Sequence, residues 1–379
     1  MPWQEVSTMQ LRTEFVVLAE QGGPIRQLCR RFGISPTTAY KWLERYRQGA
    51  SLEEYSRRPL HSPARSSEAI EAAIVALRQA HPAWGARKLR RRLMERGQAM
   101  PSASTVHAIL ARHGCIRPEA SAAAKPYLRF EHPAPNDLWQ MDFKGHFALR
   151  AGRCHPLTVL DDHSRYSLCL AACTQESATT VRAHLIATFR RYGLPRRMSM
   201  DNGPPWGEAG AVYTALEVWL MKQGIHVGHG RPYHPQTQGK DERFHRSLKA
   251  ELLQGCTFEH LAAAQHAFDQ WRSLYNHERP HEALGLDTPA RHYRASAAEY
   301  REHPPQPEYA NPARVRRVYD GGRIGWKAHL YRVGKAFVGE PVELRHCTDE
   351  RYLDVYWSIR RIARIDLAEH TSIHGRRLP

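Results

Sequence analysis

Three acidic residues lie at positions from which they could form one catalytic site. Asp142 lies within "WQMDF", a run typical of a core strand, where a charged side chain is rare. Asp201 follows a later strand, and the turn "MDNG" exposes its carboxylate. Glu242 lies at the start of a helix, where the helix dipole alone would favour an acid. Gathered together, three carboxylates would repel one another, and a pair of Mg²⁺ ions would remove that conflict and supply phosphodiester chemistry.

The adjacent acids Asp241 and Glu242 are predicted to have different roles. The apolar residues of their helix form a buried stripe, namely Phe244, Leu248 and Leu252. At ~100° per residue, Asp241 points toward that stripe, so we expect it to cap free N–H groups where the helix begins. Glu242 lies on the opposite face with Arg246 and Lys249. The pattern therefore favours Glu242 as the catalytic acid, beside cations that can hold DNA phosphates.

The overall charge of the chain indicates a polyanionic partner. Among 379 residues, 55 Lys and Arg stand against 38 Asp and Glu, for a net charge of +17. Each phosphate that such side chains neutralise releases condensed counterions, so nucleic acid is favoured over the alternative of a merely soluble basic protein. No apolar run approaches the ~20 residues of a membrane span, and the first residues do not resemble a signal peptide. We therefore expect no membrane partner and a cytoplasmic, nucleoid-associated protein.

The cysteines and histidines do not predict a metal centre. Seven scattered cysteines without a C-x-x-C pair indicate a reducing compartment, and they argue against disulfides or a Cys-based zinc site. His226 and His229 have a spacing that could bind metal, but no third ligand follows at a recognisable offset.

Residues 1–60 are predicted to form a helix-turn-helix domain. Its first helix carries apolar residues at helical spacing, namely Ile25, Leu28, Cys29 and Phe32. A second helix begins with Ser35 as N-cap and Pro36 at its first position. The apolar face of that helix is expected to contain Ala39, Leu43 and Tyr46. Any pair of short helices can show this pattern, but the net charge favours DNA, and the expected major-groove contacts are Thr37, Thr38, Lys41 and Arg45.

Residues 61–116 are predicted to form a second helix-turn-helix-like unit. "EAIEAAIVALRQA" is an amphipathic helix, and "GARKLRRRLMERG" and "SASTVHAILARHG" follow it. The basic residues of the middle helix either form a solvated face or contact phosphates. We expect phosphate contacts from Arg87, Lys88 and Arg91.

The remainder of the chain divides at two stretches rich in helix and strand breakers. Residues 117–136 form a predicted linker, and residues 137–295 read first as strands and then as alternating helix and strand, which predicts an α/β domain with a mixed sheet flanked by helices. Residues 296–312 form a second predicted linker. Residues 313–379 are β-rich with regular turns, which predicts a small β-barrel.

Five blocks of residues 138–294 resemble the integrase catalytic core of DDE insertion-sequence transposases, in the retroviral-integrase superfamily. The blocks are "WQMDF", "VLDDHSRY", "MDNG", "RPYHPQTQGKDERFHRSLK" and "YNHERPHEALGLDTPA". The resemblance implies an RNase H-like fold and places the acid triad at Asp142, Asp201 and Glu242. The interval between Asp201 and Glu242 is longer than in the family's usual pattern, and "GPPWGEAG" is a candidate expansion. The chain lacks the His-His-Cys-Cys zinc module of retroviral integrases, so its helix-turn-helix units would recognise the DNA ends.

The resemblance also implies an activity, cofactors and partners. The protein would be a polynucleotidyl transferase that uses two Mg²⁺ or Mn²⁺ ions to cleave double-stranded DNA at transposon terminal inverted repeats and to join the ends to target DNA. A homodimer or higher oligomer would assemble on paired ends. In the helix of Glu242, the expected DNA contacts are Lys240, Arg243, Arg246 and Lys249. Two alternatives stay open, namely a DNA-binding protein that no longer cuts and a structure-selective RNase H-like nuclease.

Several other positions receive secondary expectations. Asp161 and Asp162 are expected to cap a turn, with Arg165 as a partner, rather than to bind metal. The polar loop "HPQTQG" is either a simple connector or a mobile segment close to DNA. A signature within "NHERPH" is expected to serve packing or DNA contact near the site, and it comprises Asn276, Arg279, Pro280 and His281.

Overall fold

The computed structural model describes residues 7–54, 65–116, 132–201, 203–207, 213–229 and 239–374. The chain divides into two compact units, Met1–Arg65 and Ser66–Pro379, which are described separately. The "HPQTQG" loop lies outside the described residues except for its last glycine. Most of the linker predicted over 117–136 and the last three residues of "GPPWGEAG" also lie outside them.

The first unit contains three helices, α1 (Thr8–Glu20), α2 (Ile25–Phe32) and α3 (Pro36–Arg47). Gly33 ends α2 in the left-handed conformation that glycine adopts without strain, and the Ser35 side chain caps α3 by accepting from the backbone N–H of Thr38. This confirms the predicted helix-turn-helix. Trp42 is buried in the core of the unit, whereas Tyr46 is exposed. Tyr46 was therefore wrongly expected on the buried face, because positions 39, 42 and 43 complete the face that packs.

The second unit begins with three further helices, α4 (Glu68–Ala80), α5 (Ala86–Glu95) and α6 (Ala103–Arg112). Their apolar faces enclose a small core that includes Ile74, Trp84 and Leu89. Leu274, from a later helix of the same unit, packs against that core. The second helical bundle therefore lies directly on the α/β domain that follows it.

A six-stranded mixed sheet forms the centre of the second unit. Its strands are β1 (Trp139–Phe143), β2 (Phe147–Ala148), β3 (Arg153–Asp161), β4 (Ser167–Cys173), β5 (Arg197–Met200) and β6 (His226–His229). The hydrogen-bonded order is β2-β3-β1-β5-β6, with β4 also paired to β3. β1 is antiparallel to β3 and parallel to β5, and β5 is parallel to β6. The predicted mixed sheet is confirmed.

Helices cover both faces of this sheet. α7 (Ala178–Tyr192) and α8 (Ala215–Lys222) pack on one face, together with the side chains of Trp139, Met141 and Phe143. α9 (Gly239–Leu248), the π-helical turn Lys249–Leu253 and α10 (Leu261–His277) pack on the other face, and α11 (Pro289–His292) follows. Because side chains alternate along β1, Gln140 and Asp142 point toward the face that α9 covers.

The C-terminal module is an open sheet with an added hairpin. Its strands are β7 (Val315–Arg317), β8 (Arg323–Trp326), β9 (His329–Arg332), β10 (Pro341–His346), β11 (Tyr352–Trp357), β12 (Arg360–Asp366) and β13 (Thr371–His374). The five-stranded sheet has the order β13-β12-β11-β10-β7, and β8 pairs only with β9 among the named strands. In the described part of the chain the predicted barrel is therefore not closed, because β7 is three residues long and the double-glycine turn Gly321–Gly322 leads the chain into a separate hairpin.

The C-terminal module shares a hydrophobic core with the α/β domain. Val218 and Met221 of α8 are buried in a cluster with residues of the module such as Trp357. At the border of this cluster, Lys222 forms an ion pair of 2.8 Å with Glu340. Residues 296–302 of the predicted linker have no regular secondary structure, yet they bond the α/β domain, as in the 2.7 Å bond from the N–H of Leu194 to the carbonyl of Ala298. Within the described ranges, the helices are too short or too polar for a membrane span.

Candidate active site

Two of the predicted acids lie side by side at one edge of the sheet. Asp142 is the fourth residue of β1, and Asp201 follows directly after β5. The two strands are parallel, with Trp139 opposite Met198 and Gln140 opposite Ser199. Continuing that register by two residues brings Asp142 opposite Asp201, at the ~4.8 Å spacing of neighbouring strands. The strand register therefore pairs two carboxylates that are far apart in sequence.

The surroundings of Asp142 disfavour the ionised form of its carboxyl group. Burial raises the pKa of Asp142 to about 6; the N–H of Phe143 opposes the shift, and the negative charge of Asp201 adds to it. The side chain is still 29 % exposed, so solutes can reach it. Such a carboxyl pair gains from a nearby cation, because a cation offsets both desolvation and the repulsion between the two charges.

His245 connects α9 to the strand of Asp142. Thr158, which lies opposite Asp142 in β3, donates a hydrogen bond of 2.9 Å to the backbone carbonyl of Asp142. The Nε2 atom of His245 lies 2.9 Å from the same hydroxyl, and since the hydroxyl proton is already used, the ring N–H donates. Burial lowers the pKa of His245 to about 3, and Lys144 adds to this shift. Nδ1 of the neutral ring therefore holds a lone pair, and it lies 3.9 Å from Asp142 Oδ2.

The structure separates Asp241 from Glu242, as predicted, but gives Asp241 a different environment from a simple cap. Asp241 is 2 % exposed, whereas Glu242 is exposed on α9 one turn before His245. The Asp241 Oδ1 atom accepts no hydrogen bond from the described residues. Burial raises the pKa of Asp241 well above its ordinary value, and the charges of Asp142 and Asp162 raise it further. Burial and two neighbouring negative charges thus favour the uncharged form of Asp241.

Asp162 ties the start of α9 to the sheet. It is 2 % exposed and accepts a bond of 2.9 Å from the side-chain amide of Gln140. Lys240, next but one to Glu242, forms an ion pair of 2.5 Å with the same carboxylate. Lys240, predicted to contact DNA, therefore has a protein partner, and this contact carried no signal in the sequence.

The neighbouring Asp161 caps its turn as predicted. Its carboxylate accepts bonds from the N–H and hydroxyl of Ser164, at 2.8 and 2.6 Å, and from the N–H of Asn136 at 2.7 Å. The backbone N–H of Arg165 also donates to the Asp161 carbonyl at 2.9 Å.

His229 supports Asp201 from the adjacent strand. Its Nδ1–H donates to the backbone carbonyl of Asp201 at 2.9 Å, and its Nε2 lies 2.7 Å from a carboxylate oxygen of Glu217. Glu217 is 2 % exposed and caps α8 together with Thr214. His226, the other histidine of the "HVGH" pair, lies 3.2 Å from Arg360 instead. The two histidines therefore have separate partners.

The fold brings two of the three predicted acids together and leaves the third on a separate element. Asp142 and Asp201 are neighbours, and Glu242 lies on the helix that faces them. Across the described ranges, no three or more His, Cys, Asp and Glu side chains already lie in an arrangement that could hold a metal ion.

The predicted DNA contacts of the first unit lie on α3. Thr37 and Lys41 are exposed, and Thr38 is half-buried with its hydroxyl 2.9 Å from that of Ser35. The Lys41 ammonium and the Arg45 guanidinium lie over the ring of Trp42, at 4.9 and 4.8 Å from its centroid. The exposed side of α3 is therefore polar and basic, as a recognition helix requires.

The predicted contacts of the second unit fall into two groups. Four are exposed, namely Arg87, Arg243, Arg246 and Lys249. Arg91 instead forms an ion pair of 2.8 Å with Asp287, and Arg92 pairs with Glu278. Lys88 is half-buried, and burial lowers its pKa to about 8. The positive charge of Arg279 is the second largest cause of this lowering. The basic face of α5 thus partly docks this bundle on the α/β domain.

Comparison with known families agrees with this architecture. Integrase core domain models match residues 132–235 and 223–289, and the IS481 family transposase C-terminal domain matches residues 313–373. Homeodomain-like models match residues 7–53 and 38–110. The insertion element IS476 39.2 kDa protein of Xanthomonas euvesicatoria is 30% identical over 266 residues, which are 67% of this chain and 71% of that protein. The chain belongs to the insertion-element transposases with an integrase core domain.

Other relatives match shorter parts of the chain. The insertion element IS407 31.7 kDa protein of Burkholderia multivorans is 28% identical over 41% of this chain and 55% of its own length. The Gag-Pro-Pol polyprotein of sheep pulmonary adenomatosis virus is 34% identical over 119 residues, which are 31% of this chain and 6% of that protein. The catalytic core of BIV integrase is 26% identical over 41% of this chain and 92% of its own, with a TM-score of 0.32. Membership of this family places the chain in DNA transposition and integration.

Proposed function

We propose that this protein cleaves double-stranded DNA at transposon ends and joins those ends to target DNA. The observation that carries the proposal is the pairing of Asp142 with Asp201 at the edge of an integrase-core sheet, where burial and mutual repulsion leave the carboxylates in need of a cation. A protein that only binds DNA gains nothing from such a pair, since the paired charges are costly to maintain.

The acids Asp142, Asp201 and Glu242 are of the chemical type that binds a divalent metal such as Mg²⁺ or Mn²⁺. Carboxylate oxygens are the ligands that these hard cations prefer, and Asp142, Asp201 and Glu242 would supply them. His245 Nδ1 and Asp142 Oδ2 are both acceptor atoms and lie 3.9 Å apart. A cation close to them would therefore be attracted by both. When bound, two such ions activate the attacking oxygen and stabilise the leaving oxygen of a phosphodiester exchange.

The chain's own residues then act by holding and positioning DNA. Arg243, Arg246 and Lys249 are exposed on the helix of Glu242, so their cations can hold phosphates beside the acid pair. In the first step, water forms a bond to phosphorus while the P–O3′ bond breaks and frees a 3′-hydroxyl. In the second step, that hydroxyl bonds to a target phosphorus and displaces the target strand's own 3′-oxygen. One phosphodiester replaces another, so joining needs no external energy source.

The helical units supply recognition of the ends. The exposed polar side of α3 would enter a major groove at the terminal inverted repeats, with Arg87 of the second bundle on the backbone. Since both ends must be joined, a homodimer or higher oligomer would assemble on paired ends.

A joining assay tests the proposal. Purified protein, a labelled oligonucleotide with the element's terminal repeat and plasmid DNA should give labelled plasmid only with Mg²⁺ or Mn²⁺. Asp142→Asn and Asp201→Asn should each abolish joining while end binding in a gel shift persists. Tight end binding by wild-type protein without metal-dependent cleavage or joining would contradict the proposal and favour a DNA-binding protein that does not cut.

A further inference from the structure

A buried ion pair lies beneath the helix that carries Glu242. The Arg279 guanidinium donates from Nε to both carboxylate oxygens of Glu251, at 2.8 and 3.1 Å. The two side chains are only 7 % and 8 % exposed. Glu251 also accepts a bond of 3.2 Å from the indole N–H of Trp271. Both oxygens of this buried carboxylate therefore accept hydrogen bonds, from Trp271 of α10 and from Arg279, which follows α10.

Arg279 binds the Glu242 helix at two points. Glu251 lies in the π-helical turn Lys249–Leu253, which continues α9 without a break. One turn earlier, Ser247 of α9 accepts a bond of 3.1 Å from Nη2 of Arg279. One planar guanidinium thus bridges the last turn of α9 and the π-helical turn, which restricts both rotation and sliding of the helix.

The π-helical turn links the Arg279 contacts to the rotation of α9. An extra residue in one turn changes the rotation of everything before it relative to everything after it by ~100°. Upstream of this turn, α9 packs Phe244, His245 and Leu248 on the sheet, while Glu242 is exposed. The direction in which Glu242 points from the α9 axis therefore depends on how the π-helical turn is held.

We propose that Arg279 is a positioning residue for Glu242, acting through Glu251 and Ser247 to fix the rotation of α9. This inference rests on the proposed function. The remaining Arg279 contacts agree with a fixed orientation, because Nη1 lies 3.2 Å from His281 Nε2 and the guanidinium lies 5.4 Å from the Tyr275 ring centroid. A lysine would keep the charge but could not reach Glu251, Ser247 and His281 at once, since only the guanidinium has a planar fork of donors.

Arg279→Lys tests this role, with Arg272→Lys as the matched control. Arg272 lies on α10, shortly before Arg279 in the chain, and donates to a core carbonyl, that of Leu168 at 2.8 Å, but this contact leads to β4 and not to α9. Four quantities are measured for each full-length protein: the melting temperature, end-DNA binding without metal, the Mn²⁺ affinity from the electron paramagnetic resonance signal of free Mn²⁺, and the joining rate.

Arg279→Lys is expected to bind end DNA within about twofold of wild type, to lose about tenfold or more in Mn²⁺ affinity and to join DNA about 10–100-fold more slowly at saturating DNA, as changes behind a metal ligand do. Arg272→Lys should keep end-DNA binding, Mn²⁺ affinity and the joining rate within about threefold of wild type. If Arg279→Lys does not fold, Ser247→Ala, which removes one contact and leaves the ion pair, should show the same pattern to a smaller degree.

The outcomes separate the two claims. Unchanged Mn²⁺ affinity and joining in a folded Arg279→Lys or Ser247→Ala protein would overturn the positioning role and leave the proposed function intact. Equal losses in Arg272→Lys would also overturn it, since they would mark a general effect of packing. A loss of Mn²⁺ affinity in Arg279→Lys and Ser247→Ala, but not in Arg272→Lys, would support the positioning role even if wild-type protein joined no DNA. The absence of joining by wild-type protein would defeat only the proposed function.

Discussion

Replacement of Lys88 by Met should stabilise the second unit at neutral pH. Burial and the charge of Arg279 lower the pKa of Lys88 from 10.5 to about 8, although Glu251 and Glu282 oppose the shift. At ~1.4 kcal/mol per pKa unit, holding this ammonium charged in the folded chain costs about 3 kcal/mol at pH 7. Methionine fills a similar volume without a charge and removes that cost.

The pH dependence of the effect follows from the direction of the shift. Below pH 8 the lysine is protonated in folded and unfolded chains alike, so the cost is constant. Between about pH 8 and 10.5 the folded chain releases its proton first, so wild-type stability from this group rises and the advantage of Lys88→Met shrinks toward zero. Urea unfolding of both proteins at pH 7 and pH 10, followed by tryptophan fluorescence, measures the two differences.

The control for this experiment is Arg87→Met, which changes an exposed neighbour on the same helix. Arg87→Met should leave stability within about 0.5 kcal/mol of wild type and weaken end binding. The reasoning would be refuted if Lys88→Met gave no gain at pH 7, or if it weakened end binding and lowered the salt dependence as loss of a phosphate contact does.

Three further predictions concern other parts of the second unit. In metal-free protein, the Asp142 carboxyl should titrate near pH 6, and Asp201→Asn should lower that midpoint, as NMR of the labelled carboxyl carbon would show. Met221→Ala should lower the free energy of unfolding by about 2–3 kcal/mol in urea denaturation, because Met221 is buried where α8 meets the C-terminal module. Arg246→Ala should weaken end binding in gel shifts with an unchanged melting temperature, whereas Arg91→Ala should lower the melting temperature, because it breaks the ion pair with Asp287.

Local patterns in the sequence were sufficient for the framework of the site. The run "WQMDF" predicted a core strand, and in the structure its apolar residues face one helical layer while Asp142 points to the other face. Helical spacing likewise predicted that Asp241 is buried and Glu242 is not. The spacing could not predict that Asp241 lies among other acids, since Asp142 and Asp162 reach it only through the folded sheet.

Contacts between distant segments explain most of what sequence reasoning missed. Arg91 and Asp287 are 196 positions apart, and nothing local distinguishes such an arginine from one that binds DNA. The pairing of Lys240 with Asp162 is equally hidden. His245 did carry a signal, because it lies three positions after Glu242, a spacing at which side chains on a helix are neighbours. The predicted barrel failed to close for a related reason, since strand composition does not specify which strands pair.

The comparison of Glu242→Gln with Asp241→Asn in the joining assay tests the central claim most directly. The substitutions change adjacent carboxyls into amides of the same size, and burial raises the pKa of Asp241 well above its ordinary value, which favours the uncharged form that the amide resembles. Loss of a metal-binding carboxylate costs several kcal/mol in the transition state, so Glu242→Gln should slow joining by about a thousandfold, while Asp241→Asn stays within about threefold of wild type. Retention of joining by Glu242→Gln, or its loss in Asp241→Asn alone, would contradict the assignment of Glu242 as the catalytic acid.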